Sequence, residues 1–329
     1  MILELKNIKK SFDGKEILHG ISFLVESGRA LGLLGRNGAG KTTTIRIIMD
    51  VFHADSGEVL LDGKKFTYEH SQIGYLPEER GLYPKRIIKE QLVYLAMLRG
   101  LSRKEAEKNT KRWLSRLEVD QYENKKLDTL SKGNQQKVQL AATLVADPDI
   151  VILDEPFSGL DPVNSQILKD VIHELITEGK IVIFSSHQMS YVEEFCEDIV
   201  IINKGDVILS GNLDEIKQKY GEGHRLVSAL NMEDSQLSRL IMESGTDTME
   251  VVGTDKHGVI VELKSGDQWA ALDRLKELKV ELKTFGIYEP SLNDIFVSVA
   301  GDETEEVAQE DSASDEPDDN KSTKSGLGR

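Results

Sequence analysis

Apolar residues along this chain fall into two regimes. Up to about residue 220, short and nearly all-apolar runs, Leu31–Leu34, Ile150–Leu153, Ile181–Phe184 and Ile199–Ile202, alternate with longer stretches of helical periodicity. Runs of this kind are expected of strands buried on both faces, so the pattern predicts an α/β domain with a mostly parallel sheet. The opening Met1–Lys6 alternates apolar and polar residues like a first strand and lacks the basic-then-apolar layout of a signal peptide. Between roughly 85 and 146 the signal turns helical, with Leu92, Leu95, Met97 and Leu98 and then Trp113, Leu114 and Leu117 as apolar positions. This predicts a helical insertion. From about 221 the order reads strand (Arg225–Leu230), helix (Ser235–Glu243), strands (Met249–Val252, Val259–Leu263), helix (Trp269–Leu278), strand (Val280–Ile287). A β-α-β-β-α-β order predicts a small α+β, ferredoxin-like domain. A further helix is expected to begin at Ser291, with Asp294 returning the capping hydrogen bond.

Composition sharpens this picture in four places. Residues 301–329 hold ten acids against three bases and almost no apolar residue, a segment that cannot bury enough surface to offset the entropy of ordering. It is expected to be a disordered acidic tail. The net charge of −16 opposes a phosphate backbone, and nucleic acid is not expected as a partner. The longest apolar run, Leu92–Leu98, is far short of the roughly 18 residues that cross a bilayer. The single cysteine, Cys196, has no disulfide or metal-sharing partner and is read as core packing. The expected boundaries are thus 1–220 (with a helical subdomain at about 85–146), 221–300 and 301–329.

The chemistry starts directly after the strand Leu31–Leu34, where Gly35-Arg36-Asn37-Gly38-Ala39-Gly40-Lys41-Thr42 leads into a helical run from Thr43 to Asp50. Strand, G-x-x-x-x-G-K-[ST] loop and helix form a phosphate-binding loop. Its glycines let backbone amides converge on phosphate oxygens, and the helix N-terminus adds its positive end. Lys41 is expected to neutralise β- and γ-phosphate charge, Thr42 to offer its hydroxyl to Mg²⁺, and Thr43 to complete the cradle. The run Ile150-Val151-Ile152-Leu153-Asp154-Glu155 ends a buried strand in two carboxylates. Because adjacent strand residues point opposite ways, Asp154 is assigned to the metal and Glu155 to the attacking water as general base.

The remaining motifs carry a resemblance. Leu130-Ser131-Lys132-Gly133-Asn134-Gln135-Gln136, just upstream of the acidic strand, looks like the signature sequence of ABC ATPases. Ser158-Gly159-Leu160-Asp161 resembles their D-loop, His187 after Ser185-Ser186 their switch histidine, and Phe12 sits where an adenine-stacking aromatic belongs. Over residues 1–220 the chain therefore resembles the ATP-binding subunits of ABC transporters. The resemblance implies a P-loop NTPase fold, a RecA-like core with an antiparallel β subdomain and the helical insertion. It implies ATP and Mg²⁺ as cofactors and Ser131, Gly133 and Asn134 as nucleotide contacts. It further implies a second ATPase subunit in a head-to-tail dimer, formed as a homodimer since every motif is present, and an integral-membrane permease on a separate chain. The location that follows is cytoplasmic and peripheral on the inner face of the cell membrane. The segment Glu289-Pro290-Ser291-Leu292-Asn293-Asp294-Ile295-Phe296 resembles the C-terminal extension of bacterial drug, sodium and antibiotic-peptide exporter ATPases, which favours export.

Three positions in two motifs depart from the family pattern. Lys132 and Asn134 stand where the signature usually has Gly and Gln, and Glu78, in Tyr75-Leu76-Pro77-Glu78, stands where the Q-loop glutamine belongs. A carboxylate at 78 can ligate Mg²⁺ but, when ionised, cannot donate a hydrogen bond. The competing readings are a soluble ABC ATPase acting on ribosomes or DNA, which the single module and acidic charge oppose, and a nucleotide sensor of low turnover, which Glu155 and His187 oppose.

Overall fold

A computed structural model of the chain describes residues 1–67, 73–79, 81–186, 188–244, 247–264 and 266–300. His187 and the acidic tail from 301 to 329 lie outside the described residues.

The four apolar runs form the middle of a sheet ordered β10-β9-β3-β8-β7-β6. Its strands are β3 (Ala30–Leu34), β6 (Ile73–Leu76), β7 (Ile150–Asp154), β8 (Ile181–Ser185), β9 (Asp198–Asn203) and β10 (Asp206–Asn212). All neighbours pair parallel except the edge strand β10, which pairs antiparallel with β9. Every residue of β3, β7 and β8 is buried, and alternation divides them between two cores. Leu31, Leu33, Ile150, Ile152, Ile181 and Ile183 face one. Leu34, Val151, Leu153, Val182 and Phe184 face the other. The helices on this sheet bury apolar faces that alone could not stay folded.

The first core is closed by helix α1 (Lys41–Ile48) and by an antiparallel sheet ordered β2-β1-β4-β5, made of β1 (Ile2–Phe12), β2 (Lys15–Glu26), β4 (Ser56–Leu61) and β5 (Lys64–Lys65). The second is covered by α2 (Ile88–Leu98), α3 (Arg103–Arg116), α4 (Lys132–Leu144) and α5 (Pro162–Thr177), with α6 (Met189–Phe195) and α7 (Leu213–Gly221) beyond. Helix α3 opens on a full capping box, Ser102 with Glu105, and α5 on Asp161, whose carboxylate accepts from the amides of Val163 and Asn164, followed by Pro162 at the first helical position. Leu92, Trp113, Leu114 and Leu117 are buried as expected, whereas Met97 and Leu98 are exposed. With Tyr94 they line one face of α2 at helical spacing, three and four residues apart. Among the described residues no helix is long and apolar enough to cross a membrane.

The small domain comprises β11 (His224–Ala229), α8 (Asp234–Ser244), β12 (Met249–Asp255), β13 (Gly258–Leu263), α9 (Gln268–Glu277) and β14 (Leu282–Ile287). Its antiparallel sheet is ordered β12-β13-β11-β14 and packs on both helices around Val227, Leu237, Ile241, Val261, Ala271 and Leu275. This is the ferredoxin-like arrangement expected from the element order. Helix α10 (Leu292–Ala300) has the expected cap: Asp294 N–H donates to Ser291 Oγ at 3.2 Å, and the Ser291 amide donates to Asp294 Oδ2 at 3.1 Å. It follows the small domain in sequence yet does not join its core. Leu292 and Ile295 are buried in the second core of the large domain, and the Leu292 amide donates to Glu193 of α6 at 2.7 Å. The chain thus leaves the ATPase-like body through α7 and returns to it through α10.

Candidate functional site

The loop between β3 and α1 bends through positive φ at Gly35, Gly38 and Gly40. A Cβ at Gly35 would lie 2.2 Å from the carbonyl oxygen of Ile202, so only glycine allows β9 to approach this closely. No side chain caps α1, which leaves its first amides directed at the space beyond the loop. Arg36, Asn37, Gly38, Gly40, Lys41, Thr42 and Thr43 line a cavity of about 680 Å³ together with Phe12, Ile17, Glu78, Asp154 and Glu155. Gly35 and Ala39 lie behind that wall. Ala39 packs in the first core, and Gly35 acts through its carbonyl, which accepts from Lys41 Nζ at 2.6 Å. Lys41 Nζ also donates to the Arg36 carbonyl at 3.2 Å.

Burial dominates the electrostatics. It lowers the Lys41 ammonium below its ordinary pKa, against the pull of Asp154, Glu155 and Glu78. It raises the Asp154 carboxyl, and the neighbouring charges of Glu155 and Glu78 push the same way. Both effects mark charges held in place for a ligand of complementary charge. Tyr75, which no motif singled out, has its hydroxyl 3.4 Å from Asp154 Oδ2 and is pushed up to about 12 by burial and by that carboxylate. Ile17 is one more contributor invisible in the motifs, because it arrives from β2, and Ser186, quoted above only as a neighbour of His187, contributes through Glu155.

Strand alternation does not account for the two carboxylates. Strict alternation would send them to opposite faces, but β7 ends at Asp154 and Glu155 adopts a left-handed conformation, φ 48°. The turn brings both acids to one cavity, and a non-glycine residue in this region stores strain. Among the contacts that hold it there, the Glu155 amide donates to the Ser185 carbonyl at 2.8 Å, and Ser186 Oγ donates to Glu155 Oε2 at 3.0 Å. Phe12 is partly exposed at the rim, with Phe52 edge-on at 5.2 Å and Lys10 Nζ 5.3 Å from its ring centre.

Ser131, Gly133 and Asn134 are placed elsewhere. Ser131 caps α4, accepting from the Asn134 amide at 3.3 Å, and none of the three lines the cavity. Their helix is nevertheless wired to it. Gln136 Nε2 donates to the Pro156 carbonyl just past Glu155, Gln139 Nε2 donates to the Glu79 carbonyl, and Thr143 Oγ1 donates to the Tyr75 carbonyl, each at 3.2 Å. At Gly133 a Cβ would be 3.2 Å from Asn164 Nδ2, which itself donates to Asp161 Oδ2 at 2.6 Å, so the α4 N-terminus rests on the cap of α5.

For a metal, the cavity offers the Thr42 hydroxyl and the carboxylates of Asp154 and Glu78. No group of three or more His, Cys, Asp or Glu among the described residues could hold an ion unaided. An all-oxygen, incomplete donor set beside a phosphate loop fits a hard cation that takes its remaining ligands from phosphate and water.

A glycine loop opening a helix, acidic residues at the end of a parallel strand one removed from it in the sheet and a helical subdomain beside them define a nucleotide-binding P-loop ATPase. The chain belongs to the ABC transporter family: residues 18–158 match it, and residues 211–300 match the C-terminal domain of DrrA1-3-like ATP-binding proteins. It is 39% identical over 301 residues to the uncharacterized ABC transporter ATP-binding protein YhaQ of Bacillus subtilis (strain 168), covering 91% of this chain and 99% of that protein. Identity to the ABC transporter ATP-binding protein NatA of the same organism is 35% over 224 residues, covering 65% and 91%. To its linearmycin resistance ATP-binding protein LnrL it is 34% over 224 residues, covering 67% and 72%. A solved structure of an ATP binding subunit of an ABC transporter superposes with a TM-score of 0.62 at 31% identity, covering 67% of this chain and 94% of that one. This chain is an ATP-binding and ATP-hydrolysing subunit of an ABC transporter that works with a separate permease.

Proposed function

We propose that the chain powers an exporter as one half of a head-to-tail homodimer, each ATP site being completed by the other copy. One observation carries this reading: the phosphate loop shares its cavity with Asp154, Glu155 and Glu78, while Ser131 and Gly133 of the same chain lie outside it. In the pair, Ser131, Gly133 and Asn134 of one copy meet the nucleotide on the other's loop. Arg36 to Thr43 receive the phosphates, Lys41 neutralises their charge and Phe12 stacks on the base. Thr42, Asp154 and Glu78 hold Mg²⁺, which when bound offsets charge on the phosphates. Glu155 accepts the proton of the attacking water, and Ser186 fixes one of its oxygens. His187 is assigned to the γ-phosphate by the family motif alone.

Hydrolysis removes the charge that joins the copies and lets them part. Gln136 and Gln139 tie helix α4 to the segments after Glu155 and Glu78, so events at the nucleotide are felt in the helical subdomain. There, Tyr83 (72% exposed) and the outward stripe Tyr94, Met97 and Leu98 offer apolar surface to a cytoplasmic segment of the permease. In this reading residues 1–220 are the motor and 221–300 an accessory domain, and the motor sits on the inner face of the membrane. The match to a DrrA1-3-like C-terminal domain and the similarity to a linearmycin resistance subunit support export. Purification from detergent-solubilised membranes tests the proposal: a polytopic membrane protein should accompany the chain in equal amount, and should be lost with Tyr94→Asp and Leu98→Asp. Recovery of the chain with soluble proteins only would overturn it.

A further inference from the structure

The two helices that connect the large domain to the small one converge on one side chain of α6. Glu193 Oε1 accepts from Lys217 Nζ of α7 at 2.7 Å and from the Leu292 amide of α10, 99 residues away, also at 2.7 Å. The Leu292 N–H belongs to the first turn of α10, whose amides have no partner within the helix. Glu193 therefore caps α10 from another element and sets its negative charge at the positive end of that helix. Leu213, Ile216, Leu292 and Ile295 are buried in the same core as Val192 and Phe195 of α6.

Helix α6 in turn begins where the ATP site ends. The Ser186 hydroxyl, which donates to Glu155 Oε2 at 3.0 Å, accepts at 3.1 Å from the amide of Gln188, the residue that precedes α6. A second tie is aromatic. Phe157, two residues beyond Glu155, stacks on Tyr191 of α6 with ring centres 3.9 Å apart and planes inclined by 20°, and on Phe195 at 5.8 Å. The inner side of α6 rests on the sheet, where Gly32 of β3 leaves room for Val192: a Cβ at Gly32 would lie 2.5 Å from Val192 Cγ1. Val192 thus fixes α6 to the sheet, and Glu193 beside it fixes α6 to the helices of the small domain. Glu155 holds a left-handed backbone that its surroundings must maintain, so its aim depends on where Ser186 and Phe157 are held.

We propose that Glu193 is a positioning residue for ATP hydrolysis: it sets α6 and, through Ser186 and Phe157, the carboxylate of Glu155, so that the small domain governs turnover without touching the nucleotide. The inference rests on Glu155 being the base that takes the proton of the attacking water. Misplacing such a group by about 1 Å costs on the order of a hundredfold in rate. Among the described residues Glu193 bonds to α7 and α10 and to no part of the phosphate loop. Loss of Glu193 is therefore felt in kcat and not in KM.

Steady-state ATP hydrolysis by the purified full chain with Mg²⁺ tests it. Glu193→Ala should lower kcat at least fivefold while KM for ATP stays within twofold of wild type. Glu193→Gln keeps an oxygen that accepts from both Lys217 and Leu292, and should restore kcat to within twofold. Lys217→Glu, a surface change that drives Glu193 from its place by like charge, should lower kcat at least threefold and gives the answer even where Glu193→Ala does not fold. When Ser186→Ala and Glu193→Ala are combined, the loss should fall at least threefold short of the product of the single losses, because both act through Glu155. A kcat within twofold of wild type in Glu193→Ala or Lys217→Glu, whatever the melting temperature, would leave Glu193 a structural cap alone and overturn the proposal. So would a loss seen in KM instead of kcat, no restoration by Glu193→Gln, or independent losses in the double variant. Glu155→Gln separates the two readings. If it hydrolyses ATP like wild type, the assignment of the base fails and the role of Glu193 with it; if it is inactive while Glu193→Ala turns over normally, only the role of Glu193 fails.

Discussion

Replacing Gly35 by alanine should unfold the ATPase domain far more readily than replacing Gly38, although both are phosphate-loop glycines at positive φ. At Gly38, φ is 80° and a new Cβ meets nothing within 4 Å. The cost is the left-handed backbone alone, about 1–2 kcal/mol. At Gly35, φ is 151°, and the Cβ would meet the Ile202 carbonyl oxygen at 2.2 Å and Ala39 Cβ at 3.1 Å. Ile202 is backbone of β9, held beside β3 by parallel pairing through Leu34 and Ile201, so it cannot swing aside as a flexible side chain would. Backbone strain of about 1–3 kcal/mol adds to overpacking of about 1–3 kcal/mol, giving a loss of roughly 2–6 kcal/mol against domain stabilities of about 5–15 kcal/mol. The chain's two tryptophans allow the domains to be watched separately. Trp113 is 3% exposed in the large domain and Trp269 is 69% exposed in the small one. Urea unfolding followed by Trp113 fluorescence in a Trp269→Phe background should show a midpoint shift at Gly35→Ala at least twice that at Gly38→Ala. Equal shifts would refute the argument that the approach of β9, rather than φ, fixes glycine at this position.

Other substitutions test other links. Ile295→Ala, which empties a buried site in the second core, should cost about 2–5 kcal/mol and appear in the Trp113 transition, because α10 packs on the large domain; an unchanged Trp113 midpoint would show that it does not. Asp154 has a raised pKa in the folded chain, so its contribution to stability is present below its unfolded pKa and lost as pH rises through the folded one. Nucleotide-free Asp154→Asn should therefore melt higher than wild type at pH 7, the gap closing at pH 3 to 4, and a lower melting point at pH 7 would contradict this. Cys196 is buried and its thiol is pushed well up by burial, so a thiol reagent should label it only in denaturant; rapid native labelling would place it at the surface.

Much of this architecture was legible in the sequence because the relevant forces are local. All-apolar runs fixed the central strands, since both faces of β3, β7 and β8 are covered. The glycine loop, the capping residue Ser291 and the order of elements after residue 221 each act within a few residues. What escaped was set by contacts distant along the chain. The left-handed turn at Glu155 depends on hydrogen bonds from the end of β8, and alternation alone gave the wrong geometry for it. Tyr75, on the strand leading into the Glu78 segment, and Ile17, on β2, reach the site although neither was assigned a role. Met97 and Leu98, apolar positions of the helical insertion, form an exposed stripe, and α10 docks on the large-domain core, the Leu292 amide meeting Glu193, 99 positions earlier. The separation of Ser131 from the phosphate loop could not be read from spacing at all, though the proposed head-to-tail pairing rests on it.

That separation can be tested by mixing two inactive variants. Lys41→Ala disables the phosphate loop and Ser131→Arg the signature, so each homodimer lacks two working sites. In a head-to-tail mixed dimer one site combines both lesions and the other combines neither. ATP hydrolysis, measured as phosphate release in the presence of Mg²⁺, should be near background for each variant alone and rise several-fold when they are mixed. No increase on mixing, in samples shown to form mixed dimers, would contradict the claim that one copy completes the site of another.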